Sequence, residues 1–152
     1  MGASVTQTPS WWKIAIGSSL YTGFIPIAPA TFSSLIIGIP LVLLLHNSPS
    51  LYASFTLLVF FVGVYIAGEL SQVWGEDPRR VTIDEISGIM VTFFLINPDI
   101  KRLILGFILF RLFDIVKFPF IKSLEKIKGG FGIMLDDVIA GAISNIILRI
   151  IW

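Results

Sequence analysis

The chain has 152 residues, 55% of them hydrophobic and only 14% charged, with a formal net charge of +1. An average soluble domain carries roughly 25% charged residues, and a chain this short cannot hide so much apolar surface from water, so a bilayer is the expected solvent. The near-neutral charge speaks against a nucleic-acid partner, and the absence of cysteine excludes disulfides, thiolate metal sites and cysteine nucleophiles.

Taken in chain order, residues 1–30 predict an interfacial or re-entrant segment and residues 31–152 a helix bundle, all within one membrane domain. Trp11 to Leu20 is apolar with one interruption at Lys13, which suits a helix lying at the interface and anchored by Trp11 and Trp12. A Pro-rich stretch follows. The run from Phe32 to Leu45 predicts the first spanning helix and Leu51 to Gly68 the second, with a polar turn from His46 to Ser50 between them. Ile86 to Ile96 predicts a short third helix, a half-helix or part of a bent pair. Asn97-Pro98-Asp99 breaks the chain before a fourth helix from Leu103 to Val116, and a basic connector from Lys117 to Gly130 leads to a fifth from Phe131 to Trp152. The expected fold is an all-α polytopic bundle of about five membrane helices.

The charges then fix an orientation. With the Pro26–Thr31 end in the cytoplasm, that side holds Lys13, Arg79, Arg80, Lys117, Lys122, Lys126 and Lys128, against Lys101, Arg102 and Arg149 opposite, as the positive-inside rule favours. All the acids except Asp99 fall on the same half. Carboxylates at the edge of hydrocarbon cost several kcal/mol unless paired, hydrated or metal-bound. Acids from separate segments are therefore expected to converge on one polar site.

Four motifs carry the candidate chemistry. In Thr22–Thr31 two prolines and a glycine forbid a regular helix. Thr31 is placed to cap the first long helix, and Thr22 and Thr31 either serve an ordinary loop and cap or face a phosphate at a helix N-terminus. In Asp77–Gly88, Asp84 and Glu85 stand where a helix begins. They suit its dipole, and as hard oxygen ligands they also suit Mg²⁺ bridged to phosphate. In Phe110–Lys117, the i, i+3, i+6 spacing puts Arg111, Asp114 and Lys117 along one helix side, as a structural ion pair, a phosphate-holding strip or both. In Gly129–Gly141, the amides of Gly129, Gly130 and Gly132 can approach an anion. Asp136 and Asp137 follow among apolar neighbours, where an ion or substrate site is the default reading. Asp137, Ala140, Gly141 and Ser144 share one face, narrow enough for close helix contact.

The single His lies on the far side from these acids, so a Ser-His-Asp mechanism is excluded there. What remains is a set of carboxylates, a few cations and glycine-rich turns, suited to metal-assisted attack of water on a phosphomonoester. A carboxylate nucleophile is the alternative.

Thr-Gly-x-x-Pro-x-Ala-Pro at Thr22–Pro29, Asp-Glu-x-x-Gly at Asp84–Gly88, Arg-x-Phe-Asp-x-x-Lys at Arg111–Lys117 and the Gly129–Gly141 block resemble, in order and spacing, the bacterial phosphatidylglycerophosphatase A family. The likeness runs from about Ser18 to the C-terminus; Ala30 departs from it, standing where that family usually has glycine. The resemblance implies a Mg²⁺-dependent inner-membrane enzyme that hydrolyses phosphatidylglycerophosphate to phosphatidylglycerol and phosphate. On that basis Asp84, Glu85, Asp136 and Asp137 are expected to hold Mg²⁺, with Asp114, Glu69 or Asp77 as further ligands. Arg111 and Lys117 are expected to neutralise phosphate charge. Two rivals stand beside this reading: a phosphatase of another lipid phosphomonoester, and a small ion transporter, for which internal repeats and mid-membrane polar groups are the expected marks.

Overall fold

The computed structural model describes residues 8–116 and 126–152, and among them every regular element is helical. Helix α1 covers Trp11–Gly17, α2 Pro29–Leu45, α3 Pro49–Trp74, α4 Ile83–Thr92, α5 Ile100–Ile115 and α6 Gly130–Ile151. Two of these, α3 with a mean hydropathy of 2.0 and α6 with 1.7, are long and apolar enough to cross a membrane. The outward surface of the bundle is apolar on the other long helices as well. Leu44, Phe61, Ile104 and Ile150 are each more than half exposed, which water disfavours and lipid does not. The architecture is that of a helical membrane protein.

Each boundary has a local cause. Pro49 starts α3 at a position where a missing N–H costs nothing. Asp99 caps α5 by accepting from the Arg102 amide at 2.9 Å. The first long helix begins earlier than the sequence suggests. Ala28 takes a left-handed conformation (φ 48°) and Pro29 supplies the first helical residue, so Thr31 sits inside the first turn and is not the N-cap. A π-helical stretch from Ser34 to Gly38 then interrupts α2; such bulges re-aim side chains and recur at functional sites.

Ahead of α2, Ser19, Leu20 and Tyr21 all have positive φ and reverse the chain after α1. Gly17 accepts from the Thr82 amide at 2.9 Å, tying α1 to the residues just before α4. Lys13 reaches across to α3, where it pairs with Glu69.

α4 and α6 form the centre. Both begin at the same end of the bundle and run side by side, and α3 and α5 return against them. Ile86, Ile89, Met90, Phe93, Phe110, Ala140 and Leu148 build the larger core between α4, α5 and α6. The face of α6 read from the sequence is the buried one: Asp137, Ala140, Gly141 and Ser144 all lie inside. The backbones of α4 and α6 touch where two glycines meet. A Cβ added to Gly141 would lie 2.3 Å from the Gly88 carbonyl oxygen, a backbone atom that cannot rotate away. Gly141→Ala is therefore expected to destabilise the protein by about 1–3 kcal/mol, seen as a lower thermal midpoint in detergent.

Candidate active site

At the end of the bundle where α2, α4 and α6 begin and α5 finishes, a cleft of about 370 Å³ opens between them. Among the described residues its wall carries six carboxylates, from Asp77, Asp84, Glu85, Asp114, Asp136 and Asp137, and two guanidinium groups, from Arg79 and Arg111. That is an excess of four formal negative charges in a space half-enclosed by apolar helices.

Three of the acids converge. Glu85 from α4, Asp114 from α5 and Asp137 from α6 each offer an oxygen, and these atoms all lie within 4.8 Å of one another. Glu85 and Asp137 are buried. Arg111 fills part of the gap: its Nη1 donates to both Glu85 oxygens at 2.8 Å and lies 2.8 Å from Asp114 Oδ2. The pairing of Arg111 with Asp114 is the i, i+3 contact expected from their spacing. Ser34, turned inward by the π-helical stretch, lies 3.3 Å from Glu85 Oε2 and donates to it.

One guanidinium does not balance this set. Asp84 Oδ1 and Asp137 Oδ2 are buried without a hydrogen-bond partner among the described residues. Unpaired buried oxygens of ionisable groups are costly, so these are where a further positive charge fits. Ligand oxygens about 2.0–2.6 Å from a hard divalent cation lie up to about 5 Å apart across it. The separation among Glu85, Asp114 and Asp137 falls within that limit, and the donor set is all oxygen, as Mg²⁺ requires.

The cleft is also bounded by Ala28, Pro29 and Ala30 at the start of α2. Among the described residues no side chain caps that helix. Its first-turn N–H groups have no intrahelical acceptor, and the positive end of the helix dipole lies there.

Not every residue singled out from the sequence reaches the cleft. Glu69 does not line it; α3 turns it towards Lys13, with which it is ion-paired. Thr22 is held away: its hydroxyl contacts the Ser18 and Ser19 carbonyls and the Ser33 hydroxyl. Gly130 faces α3, where a Cβ would come within 1.8 Å of the Val64 carbonyl oxygen, so its role is close helix packing. Gly129 and Gly132 line an adjoining recess of about 320 Å³, which shares Asp77 and Asp136 with the cleft. Lys117 lies outside the described residues. Arg79, which the sequence presents only as a cytoplasmic charge, also lines the cleft; its place in the acid-rich Asp77–Gly88 stretch is the signal for it.

A family model described as phosphatidylglycerophosphatase A matches residues 15–152. The chain belongs to the phosphatidylglycerophosphatase A family. Among curated relatives, a phosphatidylglycerophosphatase A of Escherichia coli is 33% identical over 93% of this chain and 83% of its own length. One of Haemophilus influenzae is 35% identical over 84% and 80%. A protein of Bacteroides thetaiotaomicron named "Putative phosphatidylinositol-3-phosphatase" is 40% identical over 95% of this chain and 96% of its own. No solved structure matches. Family membership supports a lipid phosphatase role, and the family's match spans all of the segments that build the cleft.

Proposed function

We propose that the protein is a multi-pass inner-membrane phosphatase that hydrolyses phosphatidylglycerophosphate to phosphatidylglycerol and inorganic phosphate in phospholipid biosynthesis, with Mg²⁺ held in the cleft. The observation that carries this reading is the convergence of Glu85, Asp114 and Asp137 from three helices beside an uncapped helix N-terminus. A cation site and an anion site therefore lie in one cleft. The charge distribution supports a cytoplasmic cleft. There the headgroup phosphate can enter while the acyl chains stay in the bilayer.

Glu85, Asp114 and Asp137 are the residues that would hold the ion. When bound, it withdraws charge from the phosphoryl group and from water. The remaining work belongs to the chain. The N-terminal amides of α2 and the Arg79 guanidinium take the phosphate oxygens, as helix N-termini and arginines do elsewhere. Arg111 keeps Glu85 and Asp114 apart from each other's charge and fixed in direction. Asp84, whose Oδ1 is buried without a hydrogen-bond partner among the described residues and which is not one of the three converging acids, takes the proton from the attacking water. Water's oxygen bonds to phosphorus, the ester oxygen leaves, and the proton passes through Asp84 to the departing alcohol.

The test is phosphate release by purified protein from phosphatidylglycerophosphate in mixed micelles, with and without chelator. Turnover that stops on chelation and returns with Mg²⁺ is expected. Mg²⁺ binding without release from any lipid phosphomonoester would favour a transporter. The Bacteroides relative supplies a second reading, phosphatidylinositol 3-phosphate, which also carries its monoester on a polyol one phosphodiester away from the diacylglycerol. Competition between the two lipids decides between them, and phosphatidylglycerophosphate is expected to have the larger kcat/KM.

A further inference from the structure

Helix α4 has only 10 residues, about 15 Å at 1.5 Å per residue, roughly half the thickness of a hydrocarbon core. No further helical turn follows to supply donors to its last carbonyls, and the backbone is non-helical as far as Asp99. The last carbonyls of a helix need partners from outside it. Here they have them. Tyr52 Oη of α3 donates to the Met90 carbonyl at 2.7 Å. Asn145 Nδ2 of α6 donates to Val91 at 3.2 Å, to Thr92 at 2.9 Å and to Phe94 at 2.9 Å. Arg149 Nη2 adds a second bond to Phe94 at 2.9 Å. Its Nε donates to Asn145 Oδ1 at 2.8 Å, which fixes which end of the amide faces α4.

The spacing on α6 gives this cluster its reach. Asp137, Gly141, Asn145 and Arg149 recur every fourth residue and so form one stripe along the helix. Opposite them, in the same order, stand Glu85, Gly88 and the Val91 and Thr92 carbonyls of α4, and then Phe94 just beyond its end. Asn145 and Asp137 are thus two ends of a single seam, about 12 Å apart along the axis. Gly141 and Gly88 form backbone contact between them, so a slip of α4 at its far end carries Glu85 along α6 by the same amount.

We propose that Asn145 is a positioning residue for the carboxylate site. By holding the far end of α4 against α6, it sets the offset at which Glu85 meets Asp137. The proposal rests on the functional reading above for its activity readout, and its metal-binding readout is independent of turnover.

The test compares wild type with Asn145→Leu, which keeps bulk and removes the donors, and Asn145→Gln, which keeps an amide. Two quantities are read per folded molecule: Mn²⁺ affinity by electron paramagnetic resonance, and kcat and KM for phosphatidylglycerophosphate. Asn145→Leu is expected to weaken Mn²⁺ binding about tenfold. It should lower kcat by about 10- to 100-fold at little-changed KM, the scale of a small misplacement of reacting groups, and Asn145→Gln should recover most of both. Wild-type Mn²⁺ affinity and kcat in folded Asn145→Leu would overturn the proposal, since a purely structural residue alters only the yield of folded protein. So would equal losses in both variants. Wild type that binds Mn²⁺ but releases no phosphate would remove the functional reading and leave the affinity comparison to judge Asn145. Wild type that binds no Mn²⁺ overturns both.

Discussion

Asp137→Asn is expected to lower kcat for lipid phosphate release by about 100-fold or more, the scale of losing one preorganised electrostatic group, while leaving the protein folded. The substitution keeps the shape of a buried side chain and removes the negative charge from one of the three acids whose oxygens lie within 4.8 Å of one another. Its effect on stability has an informative sign. Two like charges about 4 Å apart repel by roughly 4 kcal/mol at an effective dielectric constant near 20. Without metal, the Asp137→Asn protein should therefore unfold at the same temperature as wild type or higher. With Mg²⁺ the order should reverse. A ligand at 100 times its Kd stabilises by about 2.7 kcal/mol, and the variant should lose most of that gain. Thermal unfolding in detergent with and without Mg²⁺, beside the activity assay, checks both parts. A variant that is inactive yet still gains wild-type stabilisation from Mg²⁺ would place the ion elsewhere.

How much of this was legible in the sequence depended on whether a residue's reason for being there was local. Glu85, Asp114 and Asp137 could be singled out because each stands among apolar residues of a helix, the first two near its end and Asp137 two turns in, where an uncompensated charge is costly. That cost alone predicts convergence. The inward face of α6 could be read for a similar reason, since spacing along one helix determines it. Thr31 was misplaced because the start of α2 depends on Ala28 adopting φ 48°, a conformation that residue type does not favour. Glu69 looked like one more acid on the right side of the bilayer. Its partner Lys13 is 56 residues away, and only the docking of α1 on α3 joins them. Asn145 drew no notice, being uncharged and single, and Arg149 was counted as a charge on the far side. The four-residue rhythm linking them to Asp137 was present, but its meaning required knowing that α4 stops after Thr92 and leaves carbonyls for them to bind.

Arg111→Met is expected to have the largest effect on stability. Arg111 Nη1 is bonded to Glu85 and Asp114 together, and both it and Asp114 have side chains only 17% exposed. Removing one partner of a buried ion pair typically costs about 3–5 kcal/mol, because the other charge is left uncompensated. Here two carboxylates lose their guanidinium partner at once, with Ser34 still donating to Glu85, and Asp137 still faces them. The metal-free variant should therefore unfold well below wild type, and Mg²⁺ should restore more stability to it than to wild type, since the ion then replaces the positive charge that Arg111 supplied to the three acids. Activity should remain at least about 100-fold down even at saturating Mg²⁺, because a rescued charge balance does not restore the direction in which Glu85 and Asp114 are held. Arg111→Lys separates the two roles. It keeps the charge, so it should recover most of the lost stability, but an ammonium lacks the planar fork of donors that orients two carboxylates, and its activity should recover less. If Arg111→Met were as stable as wild type without metal, the acids at the cleft would have to be neutralised by something other than this arginine, and the case for a cation completing their charge would fall with it.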